Sequence, residues 1–279
     1  MCIRDSRWVS RRYVAGATLE DAVTIMTRLS SEGACFTIDV LGEEISTMDE
    51  AQYFFDEYVR AIAAIQQHGL DANISIKPTA FGLLIDEEAG MNNIRKLVKM
   101  AAEHEMFVRL DMEDHRVTSA TIKAVVDLHN EGLTNVGTVL QGRLFRSLAD
   151  IDSLETEIGP HADYRICKGI YLEPEEISFT SYQDIVDATN ACVDKMLEAG
   201  AYVGIASHDY PVIDYGRFVH GIMNALATCV PIVGFSLRRR ILYSYHFSPY
   251  GIYTRVRCPC FNNFLRSGPR TPSLSLIHI

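Results

Sequence analysis

Six short apolar segments recur along this chain about every 30 to 38 residues, centred near residues 38, 75, 109, 138, 167 and 205. Each is followed by a stretch whose apolar residues repeat at helical spacing, as Phe54, Tyr58, Ile62 and Ile65 do. Apolar segments that run on without alternation are strands buried on both faces, so the pattern predicts a parallel sheet covered by helices. The even spacing of the units favours a (β/α)8 barrel, with a doubly wound sheet as the alternative. No Gly-x-Gly-x-x-Gly follows any of the strands, which weighs against a dinucleotide-binding sheet. A barrel needs ~250 residues, and the chain has 279. Six units are visible by Ala227, and the residues beyond it have room for at most a poor version of two more.

The strands are predicted over 35–41, 72–77, 106–112, 135–141, 164–170 and 202–207. The helices are predicted over about 19–31, 48–68, 90–104, 118–130, 147–158, 181–199 and 211–227. Thr18-Leu19-Glu20-Asp21 opens the first helix with a capping hydroxyl and two acidic residues in the first turn.

Charge divides the chain. The formal net charge of −10 argues against a nucleic-acid partner. From Phe235 to Ile279 there is no Asp, Glu or Lys but seven Arg, so the first 234 residues carry a net charge of −17. The expected organisation is therefore a barrel over 1–234 and a tail over 235–279, poorly ordered or misframed, that does not belong with it, through a shifted reading frame or a truncated gene. The opening Met1-Cys2-Ile3-Arg4-Asp5-Ser6 and the closing Leu274-Ser275-Leu276-Ile277-His278-Ile279 are likewise expected to be non-native ends. Seven scattered Cys, an odd number, fit neither a disulfide framework nor a zinc site, and a reducing cytosol suits them. The most apolar window, 221–237, contains Asn224 and Pro231 and is too short to span a membrane. No apolar core of a signal peptide follows the first residues.

Five strands end in unusual polar residues, always at the C-terminal end, where barrels carry their active sites. Lys77-Pro78 ends the second strand, Arg109-Leu110-Asp111-Met112-Glu113-Asp114 the third, Gln141 the fourth, Arg165 and Lys168 the fifth, and Ser207-His208-Asp209 the sixth. If Lys77 points inward its ammonium needs a carboxylate, and Asp111 on the neighbouring strand is the candidate. Gln141, Arg165 and Lys168 offer neutral and positive donors, and Gly169 allows close approach to the backbone. No Ser, Cys or Thr sits beside an evident base, and no His/Glu cluster has metal-ligand spacing. The set suits an electron-rich cofactor that carries the chemistry itself.

Asp39-Val40-Leu41-Gly42-Glu43, Ile74-Ser75-Ile76-Lys77-Pro78, Val108 to Asp114, Asn135 to Gln141, Arg165 to Pro174 and Ala206-Ser207-His208-Asp209 occur in order. In these six motifs, from about Tyr13 to Gly234, the chain strongly resembles flavin-dependent proline dehydrogenases of the bacterial single-function type. The resemblance implies a distorted (β/α)8 barrel, incomplete here, with FAD at the C-terminal face of its strands. It implies oxidation of L-proline to Δ1-pyrroline-5-carboxylate, with electrons passed to a membrane quinone. A cytoplasmic protein, peripheral at the inner membrane face, is implied as well. By the same resemblance Asp111 and Arg165 are catalytic, Arg165 lying near flavin N5, and Lys77 contacts substrate and pairs with Asp111. Met112, Gln141, Lys168, Gly169, Ile170, Ser207 and His208 would line FAD, and no metal is implied.

The chain departs from the family at two places. Ile170 stands where the family usually has Ala. The Arg-Arg-x-x-Glu motif that grips proline is missing: Arg238-Arg239-Arg240 precedes Leu242, with Tyr243 where the Glu would stand. Another flavin barrel, similar to methylenetetrahydrofolate reductase, and an inactive truncated fragment are the alternative readings.

Overall fold

The computed structural model describes residues 18–42, 45–159 and 162–229, together with two strands at 241–244 and 274–278. Helix α1 (Leu19–Ser30) leads into strand β1 (Cys35–Asp39), and strands and helices then alternate. The order is α2 (Met48–His68), β2 (Ala72–Ile76), a 3-10 turn (Pro78–Phe81), α3 (Glu87–Glu103), β3 (Val108–Leu110) and α4 (His115–Asn130). It continues with β4 (Val136–Gln141), α5 (Ser147–Ile158), β5 (Asp163–Cys167), α6 (Tyr182–Glu198), β6 (Tyr202–Ala206) and α7 (Tyr210–Cys229). The tail adds β7 (Ile241–Ser244) beside β6 and β8 (Leu274–His278) beside β1. The eight strands form one parallel sheet in the order β7-β6-β5-β4-β3-β2-β1-β8. Six complete βα units thus make an incomplete α/β barrel. The remainder of the 235–279 tail, the Arg238-Arg239-Arg240 run included, lies outside the described residues.

The apolar runs form strands because both of their faces are covered. Ile74, Ile76, Val108, Leu110, Leu140, Ile166, Val203 and Ile205 are buried against helix residues such as Ile62, Ile94, Leu97, Leu128, Leu154 and Met196 in one continuous core. Local chemistry sets the helix ends. Thr47 and Glu50 form a reciprocal capping box at the start of α2, and Gly69 closes that helix at φ +58°. Asp86 and Asp114 cap α3 and α4, so both helices begin three residues earlier than the apolar periodicity predicts.

Two strands are shorter than predicted. β3 ends at Leu110, although the Asp111 amide still donates to the Ile76 carbonyl at 2.8 Å. β5 ends at Cys167 because Gly169, at φ +99°, turns the chain. Among the described residues no helix is long and apolar enough to cross a membrane.

Tyr58 joins the helical layer to the barrel interior. Its ring is fully buried, and its hydroxyl donates to the Ser75 carbonyl at 2.7 Å and accepts from the Val40 amide at 3.1 Å. Asp39 Oδ1 lies 3.3 Å from the same oxygen. Burial, followed by the Asp39 charge, pushes the Tyr58 hydroxyl well above its usual pKa, so it stays protonated. Tyr58→Phe removes both the donor to the Ser75 carbonyl and the acceptor for the Val40 amide, with an expected loss of about 1–3 kcal/mol. Urea unfolding checks this, and an unchanged midpoint would show that the hydroxyl adds no net stability.

Candidate active site

Strand alternation sends every second side chain into the barrel. On β1 to β3 these include Asp39, Ser75 and Arg109, all buried, and Asp111 follows in step. On β5 they are Asp163, Arg165 and Cys167. Ser75 pairs with Arg109 and Ile76 with Leu110, so the next step of the register sets Lys77 opposite Asp111.

The centre of the group is Asp111. Ser75 Oγ donates to its Oδ1 at 2.6 Å, and Arg165 Nη1 reaches the same oxygen at 3.0 Å. Arg165 Nη1 also lies 3.4 Å from Ser75 Oγ. Both hydrogen bonds that Arg165 makes therefore use one nitrogen, which leaves Nε and Nη2 as donors for a ligand. Burial raises the pKa of Asp111, against the opposing pull of Arg165. Burial likewise lowers that of Arg165, against the charge of Asp111. Each group offsets the cost of removing the other from water. Lys77 is half-buried at the start of the 3-10 turn.

A second set of contacts ties the ends of β3, β4 and β5 together. Glu113 is buried and accepts from the Thr79 amide at 2.9 Å and the Thr79 hydroxyl at 2.5 Å. Gln141 Nε2 donates to the Glu113 carbonyl at 2.8 Å. Its Oε1 is buried with no hydrogen-bond partner among the described residues. A Cβ on Gly169 would stand 2.5 Å from that oxygen, so any other residue there would close the gap. An orphaned acceptor beside a glycine backbone is the kind of cradle that a polar, planar group fills.

Lys168 Nζ meets Asp209 Oδ2 at 2.7 Å and lies 4.9 Å above the Tyr182 ring. Tyr182 donates to Asp209 Oδ1 at 2.8 Å, and the Asp209 amide donates to Ser207 Oγ at 3.1 Å. Burial acts to raise the Asp209 pKa, but Lys168 and Tyr182 outweigh it and hold the carboxylate below its usual range. Met112 is buried in the core, His208 is exposed, and Ile170 is 86% exposed. Burial pushes the Cys167 thiol up to about 11, so it offers no thiolate nucleophile. Among the described residues no group of three His, Cys, Asp or Glu is placed to hold a metal.

The fold thus brings Asp111 and Arg165 into contact and sets Gln141 against Gly169, while Lys168, Ser207 and Asp209 form a separate cluster one strand along. Sequence reasoning assigned no role to Ser75, Asp163 or Tyr182, and named Asp209 only as part of the polar end of the sixth strand. Ser75 and Asp163 each lie two residues before a named cation, Lys77 and Arg165, and that spacing was the available signal. A cleft of about 350 Å3 between α5 and α6, lined by Leu144, Phe145, Leu148, Phe179 and Cys192, shares none of these charged groups.

The proline dehydrogenase family profile matches residues 22–215. The chain is 35% identical to the proline dehydrogenase of Deinococcus radiodurans over 227 residues, 78% of this chain and 72% of that one. It is 31% identical to proline dehydrogenase 2 of Bacillus subtilis over 222 residues, again 78% and 72%. In fold it is similar to proline utilization A from Bdellovibrio bacteriovorus inactivated by N-propargylglycine, with a TM-score of 0.71 at 18% identity. That likeness covers 86% of this chain and 28% of the larger protein.

The raised pKa of Asp111 has a consequence for stability. A carboxyl group that holds its proton more tightly when folded stabilises the fold fully below its unfolded pKa, near 3.8. That contribution is lost as the pH rises through the folded pKa. Asp111→Asn should therefore gain stability relative to the wild type as the pH rises above about 4. Urea midpoints of both proteins at a series of pH values check the sign, and a constant difference would show that Asp111 does not titrate differently on folding.

Proposed function

The chain belongs to the proline dehydrogenase family, and on that premise we propose that it is an FAD-dependent enzyme that oxidises L-proline to Δ1-pyrroline-5-carboxylate. The observation that carries this reading is the pairing of Arg165 with Asp111 through one guanidinium nitrogen, beside the unpartnered Gln141 acceptor. The residues present fit a flavin: donors of fixed charge, an acceptor without a partner, and a glycine backbone next to it. When bound, FAD supplies a two-electron acceptor for the hydride that leaves proline C5.

Arg165 would direct its unused donors at the reacting edge of the cofactor, where negative charge grows on reduction. Asp111 and Ser75 hold the guanidinium in place from the opposite side. Gln141 and Gly169 would receive the ring system, with Met112, Ile170, Lys168, Ser207 and His208 along the rest of the molecule. Lys77 would bind the substrate and couple to Asp111, which the sheet register sets opposite it. Electrons would pass on to a quinone, with the protein at the cytoplasmic membrane face.

Arg165→Met removes a charge-assisted hydrogen bond worth ~1.5–3 kcal/mol. Lower flavin content or a shifted reduction potential is expected in the absorbance spectrum and redox titration. A wild-type protein that is colourless and reduces no dye with proline would overturn the reading. Lys77→Met and Asp111→Ala should each damage turnover, with the double variant little worse than either one. Strictly additive losses would show that the two do not act together.

A further inference from the structure

Beneath Arg165 the barrel holds a second ion pair to which the proposed reaction gives no role. Arg109 lies two residues before Asp111, and Asp163 two before Arg165, so the four side chains share the interior face of β3 and β5. Arg109 Nη2 meets Asp163 Oδ1 at 2.5 Å, and Nη1 donates to the Asp163 carbonyl at 2.7 Å and the Thr138 carbonyl at 3.2 Å. Its guanidinium also sits 4.8 Å from the centre of the Phe107 ring.

To reach β5 the arginine crosses the intervening strand at Gly137, its partner in the sheet. A Cβ on Gly137 would stand 2.2 Å from the Asp163 carbonyl and 2.9 Å from Arg109 Nη1. The crossing therefore requires glycine at this place, because a methyl group would meet backbone on one side and the guanidinium on the other.

We propose that Arg109 and Asp163 are positioning residues for Arg165, fixing β5 against β3 so that the Arg165 guanidinium meets Asp111 and faces the reacting group. The inference rests on the flavin reading above and adds a lower tier to it. Without Asp163, Arg109 is a buried cation within electrostatic reach of Asp111. It then competes with Arg165 for that carboxylate and draws the upper pair out of line.

Two measurements on the full chain test this. In flavin-free protein, a urea-unfolding cycle of Asp163→Asn with Arg165→Met should be non-additive, and additive losses overturn the inference whether or not flavin binds. In flavin-loaded protein, Asp163→Asn should lower kcat roughly tenfold, less than the ~10²–10³ for losing a donor aimed at developing charge. The KM for proline should stay within about twofold. The flavin midpoint potential should fall, because a displaced Arg165 stabilises the reduced ring less, and should not fall in the Arg165→Met background. Removal of a negative charge with Arg165 still in place would instead raise the potential. A rise, or no change, with kcat intact would overturn the inference. Should Asp163→Asn fail to fold, Arg109→Lys keeps the charge, loses the reach across Gly137, and is expected to give the same pattern. A wild-type chain that takes up no flavin refutes the proposed reaction, and the urea cycle still decides the role of the pair.

Discussion

Charge placed inside a barrel must be neutralised inside the barrel. Arg109, Arg165, Asp39, Asp111 and Asp163 all lie on the interior face, and a buried charge left without a partner costs several kcal/mol. The solution here pairs each cation with an acid from another strand: Arg109 of β3 with Asp163 of β5, and Arg165 of β5 with the Asp111 that follows β3. A slip of one residue in any of these strands would turn its charges out into the helical layer. The apolar face of the sheet supplies the drive to fold, and the charged face dictates which register results.

The same division explains what could be read from the chain alone. The fold was legible because buried parallel strands are continuous apolar runs and the helices between them carry a clear period of 3.6. Helices α2 and α5 match their predicted ranges; Thr47 and Gly69 cap α2, and Gly159 closes α5. α3 and α4 start earlier than predicted because the capping Asp86 and Asp114 precede the first apolar residue of each helix.

The candidate site was legible where a charge interrupts an apolar run, as Asp111 does just after β3 and Arg165 does within β5. It was not legible where a small uncharged polar residue sits inside the strand. Ser75 is one hydroxyl between two isoleucines, and nothing in the sequence says that it donates to an aspartate 36 residues later. Gln141 was expected to face a ligand as a donor; its amide nitrogen is taken by the Glu113 carbonyl, and the oxygen is what remains. Contacts of this kind depend on which strand lies next to which, and only the assembled sheet supplies that.

The two arginines of the interior differ in the way their surroundings demand. Arg109 has only 7% of its side chain exposed and gives hydrogen bonds to three oxygens, so both of its terminal nitrogens are engaged by protein. Arg165 is 19% exposed, and its two hydrogen bonds leave through one nitrogen. A guanidinium whose two terminal nitrogens are both held by protein is fixed and has little to offer a ligand. One held by a single nitrogen keeps directed donors at the end of the strand, where a parallel barrel opens. Two residues of the same type, on strands separated only by β4, therefore take different parts. The lower one holds the sheet in register, and the upper one is left with bonds to make.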